Sequence, residues 1–218
     1  MRRKQSKKKI QRNFNIAILL FFLCVSFVIA DHFFHERGSH SVVNNTSEEV
    51  QKHTPTIRRE LQKVQLEEYT VVLAAIMQQE SNGQGGDPMQ SSESLGLAPN
   101  SISDPEQSIR QGVKHFEHAV TYGSKKQVDF QTVIQAYNMG IGYIDYVEQH
   151  GGKHSEELAK EYSHKQVQKK PEVYNCRGDK TSYLYPYCYG DYTYSTKIVK
   201  NIETLTASSQ MFFEEISF

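Results

Sequence analysis

Residues 67–81 read Glu67-Glu68-Tyr69-Thr70-Val71-Val72-Leu73-Ala74-Ala75-Ile76-Met77-Gln78-Gln79-Glu80-Ser81. The run from Val71 to Met77 has no polar face. A helix over about 67–80 must therefore be wrapped on nearly every side, as a helix through the middle of a domain is. At its C-terminal end it presents the carboxyl of Glu80. Desolvation and the partial negative charge of a helix end both favour the neutral acid over the carboxylate. Cleavage of a glycosidic bond near neutral pH needs a proton donor of this kind. A Glu at the solvated end of a surface helix would carry no such meaning, so its surroundings decide.

Working outward, residues 81–103 hold Gly83, Gly85, Gly86, Pro88, Gly96 and Pro99 and predict a loop. Within it, Asp87-Pro88-Met89-Gln90-Ser91-Ser92-Glu93-Ser94 offers short polar side chains and backbone amides that suit a sugar. Ahead of the central helix, Thr54-Pro55 predicts a helix start, with Thr as N-cap, and a helix over about 56–66. Behind the loop, Asp104-Pro105-Glu106-Gln107 restarts helix. Ile109, Val113, Phe116 and Val120 then recur at helical spacing until Gly123, which is expected to stop it. Further helices are predicted at about 130–137, 142–150, 155–168 and 195–206. In Ile134-Gln135-Ala136-Tyr137-Asn138-Met139-Gly140-Ile141-Gly142 a helix carries Tyr137 and Asn138 to a glycine break where the backbone can pass close to a ligand. The class is mainly α, of α+β type: a compact helical domain with a short β or irregular excursion near 81–103 and another near 174–191.

The formal charge of the 218-residue chain is zero, yet residues 1–30 carry seven basic groups and no acidic one. The rest holds 18 basic and 25 acidic groups, which argues against nucleic acid as a partner. Residues 16–30 are apolar apart from Ser26. Counted from Phe14 the stretch spans 17 residues, about 25 Å as a helix. The reading is a basic cytoplasmic segment (1–13), a transmembrane signal anchor (14–30), a polar stem (31–55), a catalytic domain (56–206) and a tail (207–218). The domain then faces the outside of the cell membrane on a single-pass anchor. Cleavage after Ala30, which would release a secreted protein, is the alternative.

Cys24 falls in the apolar run. Cys176 and Cys188, in an oxidising compartment, would close a 13-residue loop as a disulfide. No His lies between them to complete a zinc site. Seven of the thirteen tyrosines fall between Tyr174 and Tyr194. Their rings suit sugars, and equally suit packing a small loop onto a core. The nine histidines, including His115 and His118, form no metal pattern and are expected on exposed faces. No metal or cofactor is expected.

Taken in order, Glu80-Ser81, Asp87-x-Met89-Gln90-Ser91-Ser92-Glu93-Ser94 and Ala136-Tyr137-Asn138-Met139-Gly140 resemble the lysozyme-like superfamily of soluble lytic transglycosylases and goose-type lysozymes. Within it the likeness is greatest to the one-domain muramidases of Gram-positive bacteria. The same domain forms the N-terminal half of two-domain cell-wall hydrolases of conjugative elements. The resemblance covers roughly 57–206 and implies a lysozyme-like fold and a peptidoglycan hydrolase cutting the β-1,4 bond between N-acetylmuramic acid and N-acetylglucosamine. It implies Glu80 as catalytic acid and places Ser81, Met89, Gln90, Ser92, Glu93, Tyr137, Asn138 and Tyr192 around the glycan strand. Tyr192 and Tyr194 both fit the closing segment, where a Tyr faces the acid. Asp87 and Glu93 are candidates for a second carboxylate. Lytic transglycosylases of this superfamily work with one Glu, so Glu80 alone is assigned. Peptidoglycan glycan strands, the membrane, and cell-wall or transfer machinery are the implied partners. A lytic transglycosylase leaving 1,6-anhydromuramic ends, and a non-catalytic wall-binding protein, are the competing readings. The resemblance departs at 174–191, a Tyr-rich insertion, and the peptidase domain of the two-domain relatives is not expected here.

Overall fold

The computed structural model describes residues 48–216, with side chains described through 206. The segments 1–13 and 14–30 and most of the stem lie outside the described residues. Among the described residues, no helix is long and apolar enough to cross a membrane. The elements are α1 (48–62), α2 (Thr70–Ser81), α3 (Pro105–Lys126), α4 (Phe130–Met139), α5 (Gly142–Glu148), α6 (Glu156–Lys169) and α7 (Tyr194–Ile216). Short 3-10 turns cover Glu67–Tyr69, Ser92–Leu95 and Cys176–Gly178. No strand occurs among the described residues, so the two expected excursions take the irregular form rather than the β one.

The core explains this order. In α2, Leu73 to Met77 are consecutive buried residues, and the helix lies along α7. α4 contacts α3, α5 and α7, and buries Val133, Ile134, Ala136, Tyr137 and Met139. Each fully buried Leu, Ile or Met side chain stabilises by about 1.5–3 kcal/mol relative to exposure, so the apolar run of α2 fixes that helix in the centre of the domain.

Three boundaries depart from expectation. α1 passes through Thr54 and Pro55 instead of starting there, and Thr54 returns its hydroxyl to the Val50 carbonyl at 2.9 Å. Val50, Ile57 and Leu61 are all fully buried on one face of α1, and that burial continues the helix across the proline. Pro55 and Gln51 both lie on the exposed side, where water can satisfy the carbonyl that proline leaves without a helical donor. Gly123 does not stop α3. A β-carbon there would come 2.5 Å from Val133 Cγ2, so the glycine lets α3 and α4 approach, and the helix ends at Lys126 with Gln127 left-handed. The backbone of α7 continues to Ile216 instead of ending at 206.

Candidate active site

Glu80 sits at the last turn of α2. The helix ends at Asn82, whose φ of +55° turns the chain left-handed while its N–H still bonds the Gln78 carbonyl at 3.1 Å. The turn sends the chain away and leaves the Glu80 carboxyl among protein atoms. Tyr194, 2% exposed, donates its hydroxyl to Glu80 Oε1 at 2.6 Å. Burial is the main cause that raises the Glu80 pKa to about 7; the Tyr194 hydrogen bond opposes it, and the charges of Asp87 and Glu93 add to it. Near neutral pH the carboxyl is therefore about half protonated, the state a general acid requires. Both neighbouring phenols are pushed well above their ordinary pKa, first by burial and then by the Glu80 charge, and stay protonated.

The loop after α2 is organised around the other carboxylate. Asp87, 2% exposed, accepts at Oδ1 from Ser91 N (2.9 Å), Ser108 Oγ (2.7 Å) and Ser91 Oγ (3.3 Å), and at Oδ2 from Ser92 N (3.1 Å) and Ser92 Oγ. Burial alone would raise its pKa. The hydroxyls of Ser108 and Ser92 and the amides of Ser91 and Ser92 outweigh it and hold the carboxyl below the usual range. Its acceptor sites are taken by the loop and by Ser108 of α3. Glu93, by contrast, is exposed on the 3-10 turn Ser92–Leu95 and makes no side-chain hydrogen bond among the described residues.

Several residues expected to meet a ligand are turned inward. Met89 is fully buried, its amide bonded to Ser108 Oγ at 3.0 Å and its carbonyl accepting from the Tyr137 hydroxyl at 3.2 Å. Ser92 is fully buried between Asp87 and the Ile102 amide. The Ser81 hydroxyl donates to the Pro88 carbonyl at 2.7 Å and accepts from Gly83 N at 3.1 Å. Ser81 and Met89 hold the loop to α2 and α3, and Ser92 ties the loop to itself. The two serine hydroxyls satisfy buried backbone groups, whereas Met89 bonds through its own backbone and fills the core with its side chain. Gln90 is half-buried and donates to the Asp87 carbonyl and Asn100 Oδ1.

Near the end of α4, Tyr137 and Met139 are buried. Asn138 is exposed, and its Oδ1 accepts from the Asp191 amide at 2.6 Å. Gly190 makes that approach possible, since a β-carbon there would lie 2.7 Å from Asn138 Oδ1 and its φ is +66°. Of the two tyrosines that fitted the closing segment, Tyr194 reaches Glu80. The Tyr192 hydroxyl bonds the Tyr183 carbonyl at 3.4 Å, and its ring lies edge-on to Tyr187 and 4.7 Å from Lys160 Nζ. Tyr194 opens α7, whereas Tyr192 lies in the turn before it, so the two rings meet different partners. Cys176 and Cys188 are joined, closing the Tyr-rich loop.

Sequence reading missed four supporting groups. His115 is half-buried instead of exposed, with its ring edge-on to Tyr137 at 4.8 Å and Nε2 3.1 Å from the Tyr137 carbonyl. That carbonyl can only accept, so Nε2 carries the proton. Ser108, Gln135 and Ser195 are fully or almost fully buried polar residues. Ser108 lies one turn before Gly112 on the buried stripe of α3, which was the available signal; the other two depend on contacts about 60 residues away in sequence. Among the described residues no group of three or more His, Cys, Asp or Glu side chains is placed to hold a metal ion.

A family model described as Lysozyme-like matches residues 47–202. The chain is 49% identical over 164 residues to the uncharacterized membrane protein YocA of Bacillus subtilis (strain 168), covering 75% of this chain and 73% of the relative. It is 47% identical over 96 residues to the bifunctional muramidase/DL-endopeptidase CwlT of the same organism, covering 44% of this chain but 28% of CwlT. A Staphylococcus aureus crystal structure, described as similar to lipoprotein of the NLP/P60 family, superposes with a TM-score of 0.61 at 39% identity. The match covers 71% of this chain and 52% of that one.

Proposed function

The chain belongs to the lysozyme-like family, and from that premise we propose that it is a peptidoglycan hydrolase of the muramidase type. Glu80 donates a proton to the glycosidic oxygen between N-acetylmuramic acid and N-acetylglucosamine. The observation that carries this reading is the Glu80 carboxyl set among protein atoms at the end of α2 and held by the Tyr194 hydroxyl, where burial pushes its pKa up to about 7. As the bond to the leaving oxygen breaks, positive charge develops on the anomeric carbon, and Glu80 becomes an anion beside it. The Tyr194 hydrogen bond strengthens as that anion forms, so it favours the proton transfer.

Water completes the hydrolysis. Asp87 is engaged by its own loop and by Ser108 of α3, whereas the exposed Glu93 carboxylate is free to hold a water and its charge reaches Glu80. Gln90 and Asn138 complete the walls that meet the sugar, with Tyr137 behind them, bonded to the Met89 carbonyl. A peptidase reading draws on the endopeptidase named for CwlT and the NLP/P60 neighbour. Peptide cleavage needs a nucleophile on a carbonyl carbon, and both described cysteines are tied in the disulfide. A protonated carboxyl suits an acetal oxygen instead. The apolar run 14–30 would hold the domain on the outer face of the membrane, in keeping with the name of YocA.

Purified glycan strands digested by the protein test the reading. Mass spectrometry should find reducing muramic ends, one water heavier than the anhydro form, and E80Q should lower the rate at least about 100-fold with folding preserved. Dominant anhydromuramic ends would make the protein a lytic transglycosylase. An E80Q variant with wild-type turnover would remove the assignment altogether.

A further inference from the structure

We propose that Gln135 is a positioning residue of this site: its buried side-chain amide fixes the first turn of α7 so that the Tyr194 hydroxyl meets Glu80. The inference rests on the reading of Glu80 as the acid only for its consequence in catalysis, because the geometry stands by itself.

Gln135 is 0% exposed and lies on α4, two residues before Tyr137. Its Nε2 donates to the Asp191 carbonyl at 2.6 Å, and its Oε1 accepts from the Ser195 amide at 3.0 Å. Those two backbone groups bracket Tyr194. The Asp191 carbonyl also accepts from the Tyr194 N–H at 3.0 Å, so one oxygen is shared between the amide clamp and the tyrosine itself. The first N–H groups of a helix have no partner within the helix and are ordinarily capped by a residue just before it. Here Asp191 caps Thr193 with its side chain, and the Ser195 N–H is capped from α4. The start of α7 is thereby registered against α4.

A second grip holds the same turn. Ser195 Oγ lies 2.8 Å from His154 Nε2, and the other ring nitrogen lies 2.8 Å from the Tyr143 hydroxyl. The His154 backbone N–H bonds the carboxylate of Asp129, which caps α4 through Thr132 N. Both grips lead back to α4, which also carries Tyr137, and the second reaches α5 through Tyr143. An amide is the side chain that can give one hydrogen bond and take another at this span. Methionine of similar length does neither, and an ionised glutamate only accepts. The Tyr194–Glu80 bond spans 2.6 Å, and a shift of about 1 Å in the turn would take it beyond hydrogen-bond length. Loss of that bond would leave burial of Glu80 unopposed by its strongest stabiliser of the anion.

The test reads Glu80 directly, in full-length protein with 13C-labelled glutamate carboxyls, the Glu80 resonance being the one absent from E80Q. Wild type should titrate near pH 7, and Tyr194→Phe should raise the midpoint by about one unit. Gln135→Met should raise it by a similar amount although Tyr194 is intact, and the double variant should go no further than Tyr194→Phe. Gln135→Glu, whose buried carboxyl stays protonated and can still donate to Asp191 and accept from Ser195, should restore the wild-type midpoint. If Gln135→Met does not fold, Gln135→Asn, one methylene too short to span both groups, is read in the same way. A folded Gln135 variant with an unchanged midpoint, or shifts that add in full, would overturn the proposal. A role in stability alone would lower the melting temperature and leave the titration where it was. Since the resonance reports without turnover, a protein that cleaves no glycan would sink the proposed function while this measurement still decided the role of Gln135.

Discussion

Two stretches of the domain, 82–104 and 170–193, contain nothing more regular than single 3-10 turns, yet they are fixed by different means. The first folds around a buried carboxylate. Asp87 collects five hydrogen bonds from three serines, and Ser81, Met89 and Tyr137 tie the same loop to α2, α3 and α4. The second is closed covalently between Cys176 and Cys188 and held by aromatic edges, Tyr162 and Tyr174 against Tyr189, and Tyr187 against Tyr192. Tyr183 in this stretch is 61% exposed. A loop beside an acid that must remain partly dry needs its polar groups satisfied from inside, because a missing bond there is not replaced by water. A loop on the surface has water available and can rely on a cross-link that restricts the unfolded chain.

Asp87→Asn should have the largest effect on stability. The amide keeps the size but turns one acceptor into a donor facing the donors of Ser91, Ser92 or Ser108. A loss of about 3–5 kcal/mol in denaturant unfolding is expected, with glycan cleavage falling more than tenfold. A variant as stable as wild type would show that the buried carboxylate does not organise the first loop.

Next comes the pH dependence, in which the two carboxylates act in opposite directions. The folded-state pKa of Glu80 is raised from 4.5 to about 7, so the folded protein holds a proton that the unfolded chain releases. Its contribution is present below about pH 4.5 and is lost as pH rises through 7, about 3 kcal/mol in all. Asp87, whose folded pKa is lowered, contributes stability above its unfolded value of 3.8 and loses it as pH falls through the folded pKa. Unfolding free energies from pH 4.5 to 8 should therefore fall more steeply for wild type than for E80Q. Parallel curves would mean that Glu80 is not desolvated. Cleavage should decline above about pH 7 as Glu80 loses its proton.

Replacing both Cys176 and Cys188 by Ser tests the second loop. Stability should fall by about 2 kcal/mol, and the proton-exchange protection lost should be confined to 170–193. Loss of protection across α2 and α4 would show that the two regions are fixed as one. The smallest effect belongs to Tyr183→Phe. Its hydroxyl reaches Asp191 Oδ2 at 3.0 Å and accepts from Lys197 Nζ at 2.9 Å at an exposed position. A change in melting free energy of at most about 0.5 kcal/mol is expected.

The apolar run of α2, the Asp104-Pro105 start of α3 and the glycine break after Asn138 could be read from the chain because each depends on neighbours within a turn or two. Cys176 and Cys188 could be paired because only those two thiols lie downstream of the apolar N-terminal run. Thr54-Pro55 misled because local helix-start chemistry gave way to the burial of Val50 on the far side of the proline. Gly123 misled in the same manner, its signal being a close approach of two helices and not a stop.

The sequence by itself therefore determined which helix is central, that it ends in a carboxyl, and that a polar loop and a Tyr-Asn helix end accompany it. Tertiary structure decided the roles of those groups. It buried Met89 and Ser92, locked Asp87 into its loop and left Glu93 exposed. It chose Tyr194 over Tyr192 as the partner of Glu80, through a clamp from Gln135 some 60 residues away. Periodicity and caps are properties of a few consecutive residues, whereas desolvation and hydrogen-bond partners depend on which distant segments the fold brings within about 3 Å, and neither is written in local order.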